Sequence, residues 1–130
     1  MSLIDQVVTR IDTAATTFVT VKHSWTTKPI EDFDAELPAA LPYLDGDTSE
    51  PSPYSNETIQ PGEVVVSVML VCEVADLEDL RNELYAALGG WQPTGNKWDV
   101  FEHVSGDNQA ILGGICWWVE RYAITRYSGG

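Results

Sequence analysis

Apolar positions divide the chain into helical and strand-like stretches. Ile4, Val7, Val8, Ile11, Ala15 and Phe18 recur at helical spacing. Ser2 precedes them with Asp5 three places on, the arrangement of a capping box. A helix is expected from Leu3 to about Ala15. "FVTVKHSW" (18–25) is rich in β-branched and aromatic residues and reads as a strand. Pro29, Pro38 and Pro42 punctuate the next piece, each biasing its predecessor toward extended backbone. Leu41–Leu44 fits a short edge strand, because central ladders exclude proline. Asp45–Gly62 shows little regular pattern and reads as a long loop, of a kind usually functional or mobile.

"EVVVSVMLVCEV" (63–74) is the clearest strand, apolar on both alternating sets over most of its length. Glu63 to Glu73 span roughly 36 Å, against a radius of gyration of about 14 Å for a chain of this length. Either part of the strand projects as a hairpin arm covered by a neighbouring subunit, or it bends inside one monomer. Asp76 is placed to cap a second helix, "LEDLRNELYAAL", with the apolar stripe Leu77, Leu80, Leu84 and Leu88. Its acids Glu78 and Asp79 sit in the first turn, where the helix dipole favours them. The helix runs into "ALGGWQP" (87–93). Gly89 is expected in the left-handed conformation that closes a helix, with Trp91 folding back on the helix end and Pro93 preventing resumption. "KWDVFEHV" (97–104), which carries Trp98, reads as a strand and "SGDNQ" as a turn. "AILGGICWWVERYAITRY" (110–127) reads as a long strand, bulged or bent at Gly113-Gly114.

This order predicts one α+β domain over residues 1–130, a largely antiparallel sheet with two helices packed on one face. Trp117 and Trp118 point to opposite faces of their strand. One of them therefore joins some valines of 64–71 on the face away from the helices. An apolar second face on a helix-backed sheet suggests a partner surface, unless the long loop folds over it.

Charge narrows the function. Seven Lys and Arg against twenty Asp and Glu give −13, which disfavours direct nucleic-acid recognition and anionic membranes. No apolar run of about 18 residues predicts a membrane span. The N-terminus reads as neither signal nor transit peptide, so the expected location is the cytoplasm. There the Asn56-Glu57-Thr58 sequon goes unused. Cys72 and Cys116 lie in apolar strand-like runs and read as buried thiols. His23 and His103 stand alone, with no paired-histidine or C-x-x-C spacing, so no metal and no cofactor is expected. A small hydrolase built on Cys72 or Cys116 with His103 is the enzymatic alternative. Nothing in the sequence brings those residues together, and no catalytic residue is assigned.

Four stretches carry a resemblance: the Pro-rich "ELPAALPYLDGD", the strand "VVVSVMLVCE", the helix end "LYAALGGWQP" and the closing strand "GGICWWVERYAITRY". Taken in order, from about Leu3 to Tyr127, they resemble the tail terminator (tail completion) proteins of long-tailed bacteriophages. "L-x-G-W-x-P" after a leucine helix is the most distinctive of them. The resemblance implies a non-enzymatic protein that caps the tail tube as a sixfold ring. Such a ring ends tube polymerisation and offers its other face to the head connector. Implied partners are a second copy of the chain, the tail tube protein and the head–tail connector protein. The implied place is the virion tail, after assembly in the host cytoplasm. Trp91, Pro93, Trp98, Trp118, Glu63 and Val65 are the candidate interface residues. Another small neck or head–tail connector adaptor is the competing reading.

Overall fold

A computed structural model describes residues 2–23, 36–49, 60–95 and 97–128, with backbone only at 47–49, 60–61 and 128. Trp25, Pro29, Pro51, Pro53 and the Asn56 sequon lie outside the described residues. Helix α1 spans Leu3–Ala14 and helix α2 spans Leu77–Leu88. Five strands, β1 (Thr20–Val21), β2 (Ala39–Ser49), β3 (Gln60–Glu73), β4 (Glu102–Leu112) and β5 (Ile115–Ser128), form one sheet in the order β1-β2-β3-β5-β4. All neighbours are antiparallel except β1 and β2. This is the expected α+β architecture.

Both helices cover the face that carries Val64, Val66, Val68, Leu70 and Cys72 of β3, with Tyr122 and Ile124 of β5. These share one face because strand side chains alternate. Of the residues at helical spacing, Ile4, Val7, Ile11, Ala15, Phe18, Leu80, Leu84 and Leu88 are buried, and Val8 and Leu77 pack partly buried beside them. Arg10 Nε of α1 donates to the Ala87 carbonyl of α2 at 2.8 Å, and the Thr17 N–H, in the turn after α1, donates to Glu83 Oε1 of α2 at 2.9 Å. At the start of α1, Ser2 Oγ accepts from the Asp5 N–H at 3.1 Å, as the capping pattern predicts.

Several local expectations are corrected. The strand expected over 18–25 is confined to Thr20–Val21, paired with Ala39 and Ala40. The short strand at Leu41–Leu44 is eleven residues long and sits inside the sheet, bulging between Leu44 and Gly46. Pro42 is tolerated there for a reason of direction. The Ala40 carbonyl faces outward, accepting from the Lys22 N–H at 3.3 Å, and Pro42 is two residues on, so its missing N–H also faces away from β3. Of the loop expected over Asp45–Gly62, Asp45–Ser49 and Gln60–Gly62 belong instead to β2 and β3, and 50–59 lie outside the described residues. Within the chain β3 pairs with β5 from Gln60 to Glu73 and with β2 from Gly62 to Val71.

Asp76 does not cap α2 with its side chain; it ends a 3-10 turn, Val74–Asp76, that leads directly into the helix. Gly89 is extended, with φ −63° and ψ 120°, and Gly90 at φ 78° takes the left-handed role. The strand expected over 97–104 begins at Glu102, and only Trp98 bridges Arg126 before it. "SGDNQ" is not the hairpin turn but the middle of β4, which bulges between His103 and Ser105 and between Asn108 and Ala110. The turn is Gly113-Gly114, both at positive φ (59° and 82°). A two-residue hairpin needs such angles, and glycine adopts them without steric cost.

The second face is not an open apolar surface over the described residues. Ala39, Leu41, Tyr43, Met69, Val71, Trp117 and Val119 form a second buried cluster there. Trp117 is the tryptophan on that face, and Trp118 lies on the helix side.

Candidate assembly surfaces

Three features stand out once the layers are assembled. The first is the exit from α2. The Trp91 ring stacks on Phe101 with centroids 5.9 Å apart and planes 11° apart, and the Arg10 guanidinium lies 5.5 Å from its centroid. Backbone bonds fix the same segment: the Gly90 N–H donates to the Phe101 carbonyl and the Phe101 N–H to the Trp91 carbonyl, at 2.8 and 3.0 Å. Beyond it, Gln6 of α1 clamps Thr94. Gln6 Oε1 accepts from the Thr94 N–H and from its hydroxyl, each at 2.8 Å. Gln92 Nε2 donates to the Trp98 carbonyl at 2.8 Å. The "GWQPTG" exit is thus fixed from both sides. Trp91 remains part of the surface, lining a shallow groove with Thr9, Arg10, Thr13 and Thr94.

The second feature is a buried carboxylate. Glu120 is 2% exposed, on a β5 face otherwise carrying Trp118, Tyr122 and Ile124. Its Oε2 accepts from Arg81 Nε at 3.0 Å, and its Oε1 accepts from Trp118 Nε1 at 2.9 Å, with His103 Nε2 3.5 Å away. A buried carboxylate needs such partners, because uncompensated charge is costly away from water. The Arg81 guanidinium also lies 4.6 Å from the Trp118 ring centroid. Gly106, opposite Glu120 on β4, makes the arrangement fit. A Cβ there would collide with Glu120 Oε1 and stand 2.9 Å from the Trp118 indole. Tyr122, two residues on along the same face, has its hydroxyl fully buried without a hydrogen-bond partner. Burial and then the Glu120 charge push its pKa well above the ordinary phenolic value. Above the carboxylate opens a cavity of about 220 Å³ lined by Glu78, Arg81, Asn82, Tyr85, His103 and Glu120.

The third feature is a polar row across the second face. Ser67 Oγ donates to Asp45 Oδ2 at 2.7 Å, Arg121 Nε lies 3.5 Å from the same oxygen, and Arg121 Nη1 pairs with Asp107. The row joins β2, β3, β5 and β4. Val65 and Glu63 lie on the same face, at the end of β3 away from the second cluster.

The six candidate residues therefore do not converge. Trp91 and Trp118 are half-buried on the helix side, while Pro93 and Trp98 are buried. On the second face, Val65 is half-buried and Glu63 exposed, with an in-chain interaction of its own. Glu120 and Gly106 were not singled out from the sequence. The available signal was a lone acid in the apolar alternate set Trp118-Glu120-Tyr122-Ile124.

His103 forms no couple with either cysteine. Cys72 and Cys116 are buried free thiols directly opposite each other across β3 and β5. Cys116 Sγ lies 3.6 Å from Asn108 Oδ1. His103 is opposite Tyr122, six positions along β5 from Cys116, or roughly 20 Å at strand rise. Burial, first of all, pushes the Cys72 thiol up to about 11 and raises that of Cys116. Such thiols stay protonated and are poor nucleophiles at neutral pH. Among the described residues, no helix is long and apolar enough to cross a membrane.

A clamped helix exit and a carboxylate held between the helix layer and the β4–β5 hairpin are the features that tie the layers of this fold together. The chain matches the phage tail terminator protein family over residues 3–129 and belongs to it. No curated protein matches the sequence. Membership makes this a structural protein of the phage tail, as the resemblance implies.

Proposed function

We propose that the protein caps the phage tail tube as a closed ring of identical subunits, sixfold as the resemblance implies. The ring ends tube polymerisation and presents its outer face to the head connector. The observation that carries this reading is the family match over residues 3–129. The fold supports it in physical terms. A ring needs two different complementary patches on each subunit, held at a fixed angle, because angular errors accumulate around the circle. The Gln6–Thr94 clamp and the Trp91–Phe101 stack hold the α2 exit at such an angle. The net charge of −13 suits a lumen through which DNA passes without sticking. The direct test adds purified protein to polymerising tail tube protein. Growth should stop at substoichiometric ratios, with a ring visible at the tube end; unchanged elongation would sink the proposal.

A further inference from the structure

The groove beside Trp91 holds a cation without a counter-ion. Arg10 Nε donates to the Ala87 carbonyl, and the guanidinium rests 5.5 Å from the Trp91 ring centroid. Those contacts fix the group, yet the hydrogen bond uses only one of the five N–H donors of a guanidinium. Arg10 is half-buried and forms no ion pair among the described residues. Gln6, Thr9, Arg10, Thr13, Trp91 and Thr94 line the groove, so among the described residues no acid faces it. The Gln6–Thr94 clamp and the Trp91–Phe101 stack hold its walls in place. Its volume, about 320 Å³, is the share of roughly ten liquid waters, room for two side chains. A guanidinium already held in one orientation suits a carboxylate, which it pairs bidentately at little loss of freedom. The Trp91 ring beside it offers an apolar wall.

The chain carries a complementary surface at the other end of α2. Glu73, Asp76, Glu78 and Asp79 are all exposed there, with no cation among residues 73–79. Val74 stands exposed between the first two of these acids. The segment therefore matches the groove in both respects, carboxylates for Arg10 and an aliphatic side chain for the Trp91 ring. Glu73 and Asp76 precede the helix, and Ala87 and Trp91 lie at or beyond its end. The twelve residues of α2 put roughly 18 Å between them, so these acids cannot reach the groove of their own subunit.

We propose that the Trp91 groove receives the acidic segment 73–79 of a second copy of this chain. A carboxylate of that segment pairs with Arg10, and Val74 lies against the Trp91 ring. The contact joins two different patches of identical subunits, so it is heterologous, the type that generates rings. This inference rests on the ring reading above and names its subunit contact.

The test is assembly measured by analytical ultracentrifugation over a concentration series, with and without purified tail tubes. Thr13 is exposed on the rim of the groove, one helical turn from Arg10. Thr13→Glu gives Arg10 a counter-ion from within the subunit, and Thr13→Gln brings the same shape without the charge; circular dichroism checks that both fold. Thr13→Glu should raise the concentration needed for ring assembly at least tenfold, and Thr13→Gln should stay within about threefold of wild type. Arg10→Lys then makes the contact cross-linkable, since a carbodiimide joins an amine to a carboxylate it touches. In rings mixed from isotope-labelled and unlabelled protein, mass spectrometry should find position 10 joined to an acid of segment 73–79 in the other copy. If wild type forms rings and Thr13→Glu assembles at the wild-type concentration, or Thr13→Gln is as defective as Thr13→Glu, the contact is wrong and the ring reading stands. Links from position 10 in assembled rings only to acids elsewhere, in this chain or in the tube protein, would overturn it equally. If wild type forms no ring even on tube ends, the ring reading falls and the contact with it.

Discussion

Gly106→Ala isolates the device that locks the helix layer to the β4–β5 hairpin. The backbone at Gly106 is not left-handed, so alanine brings no conformational strain of its own. What it brings is a methyl group in the space of Glu120 Oε1, with the Trp118 indole 2.9 Å away on another side. Glu120 cannot retreat freely, because its other oxygen is held by Arg81 at 3.0 Å. Forcing a methyl into a packed site costs about 1–3 kcal/mol, and losing a charge-assisted hydrogen bond costs about 1.5–3 kcal/mol. Partial relaxation overlaps the two effects, so about 2–4 kcal/mol is expected, or roughly 6–15 °C in Tm for a domain of this size. Urea melts followed by circular dichroism and tryptophan fluorescence measure it. Gly46→Ala is the control: a Cβ there meets nothing within 4 Å, and the change should stay within about 0.5 kcal/mol. In a Glu120→Ala background the collision with the carboxylate is gone and the 2.9 Å approach to the Trp118 indole remains, so Gly106→Ala should cost less than in wild type. If Gly106→Ala in wild type costs under 0.5 kcal/mol, Glu120 is not locked as described.

Trp91→Ala should cost about 2–4 kcal/mol, less than a fully buried tryptophan because one side of the ring is open. Normal tail length with this destabilised variant, scored by electron microscopy, would make the residue a staple only; overlong tails from a folded variant would give it an assembly role. Gln6→Ala removes both acceptor bonds to Thr94 and should raise amide exchange at Thr94 at least tenfold, with a stability loss of about 1–3 kcal/mol; unchanged exchange would dismiss the clamp. Cys72, raised from 9.0 to about 11 in the fold, holds its proton where the unfolded chain releases it. Its contribution to stability is therefore whole below pH 9 and declines between pH 9 and 11, by at most about 2–3 kcal/mol. Cys72→Ser in chemical denaturation should flatten that decline, and an equal slope in both proteins would reject the assignment. Both thiols should resist a disulfide reagent at pH 8 in the native state and react once the chain is unfolded.

The parts of the fold legible in the sequence are those set by local pattern. The stripes Ile4-Val7-Ile11 and Leu80-Leu84-Leu88 placed both helices and their common face, because helical spacing leaves one way to bury them. The strand at 63–73 was clear because both of its faces are covered. The misread stretches have physical causes. Polar and glycine residues in 105–109 look like a turn, yet they follow from an edge strand whose side chains face water and from the space Glu120 needs above Gly106. Gly113-Gly114 signals a turn and a bulge equally, and only pairing of Leu112 with Ile115 decides. Pro42 implied an edge because sequence does not say which way the missing N–H points. Asp76 looked like a cap because the 3-10 turn before α2 has no sequence mark. Of the candidate site, Trp91 at the helix end was legible from the stop signal around it. The Glu120 network was not, since Arg81, His103 and Gly106 converge on it only through tertiary packing.

The central claim concerns control of tail length, and the most direct measurement is the length distribution of tails made without this protein. Phage carrying a nonsense mutation in its gene, grown in a non-suppressing host, should yield tail tubes of broad and excessive length that fail to join heads. Wild-type protein supplied in trans should restore one narrow length. Tails of normal, uniform length in the mutant would contradict the account.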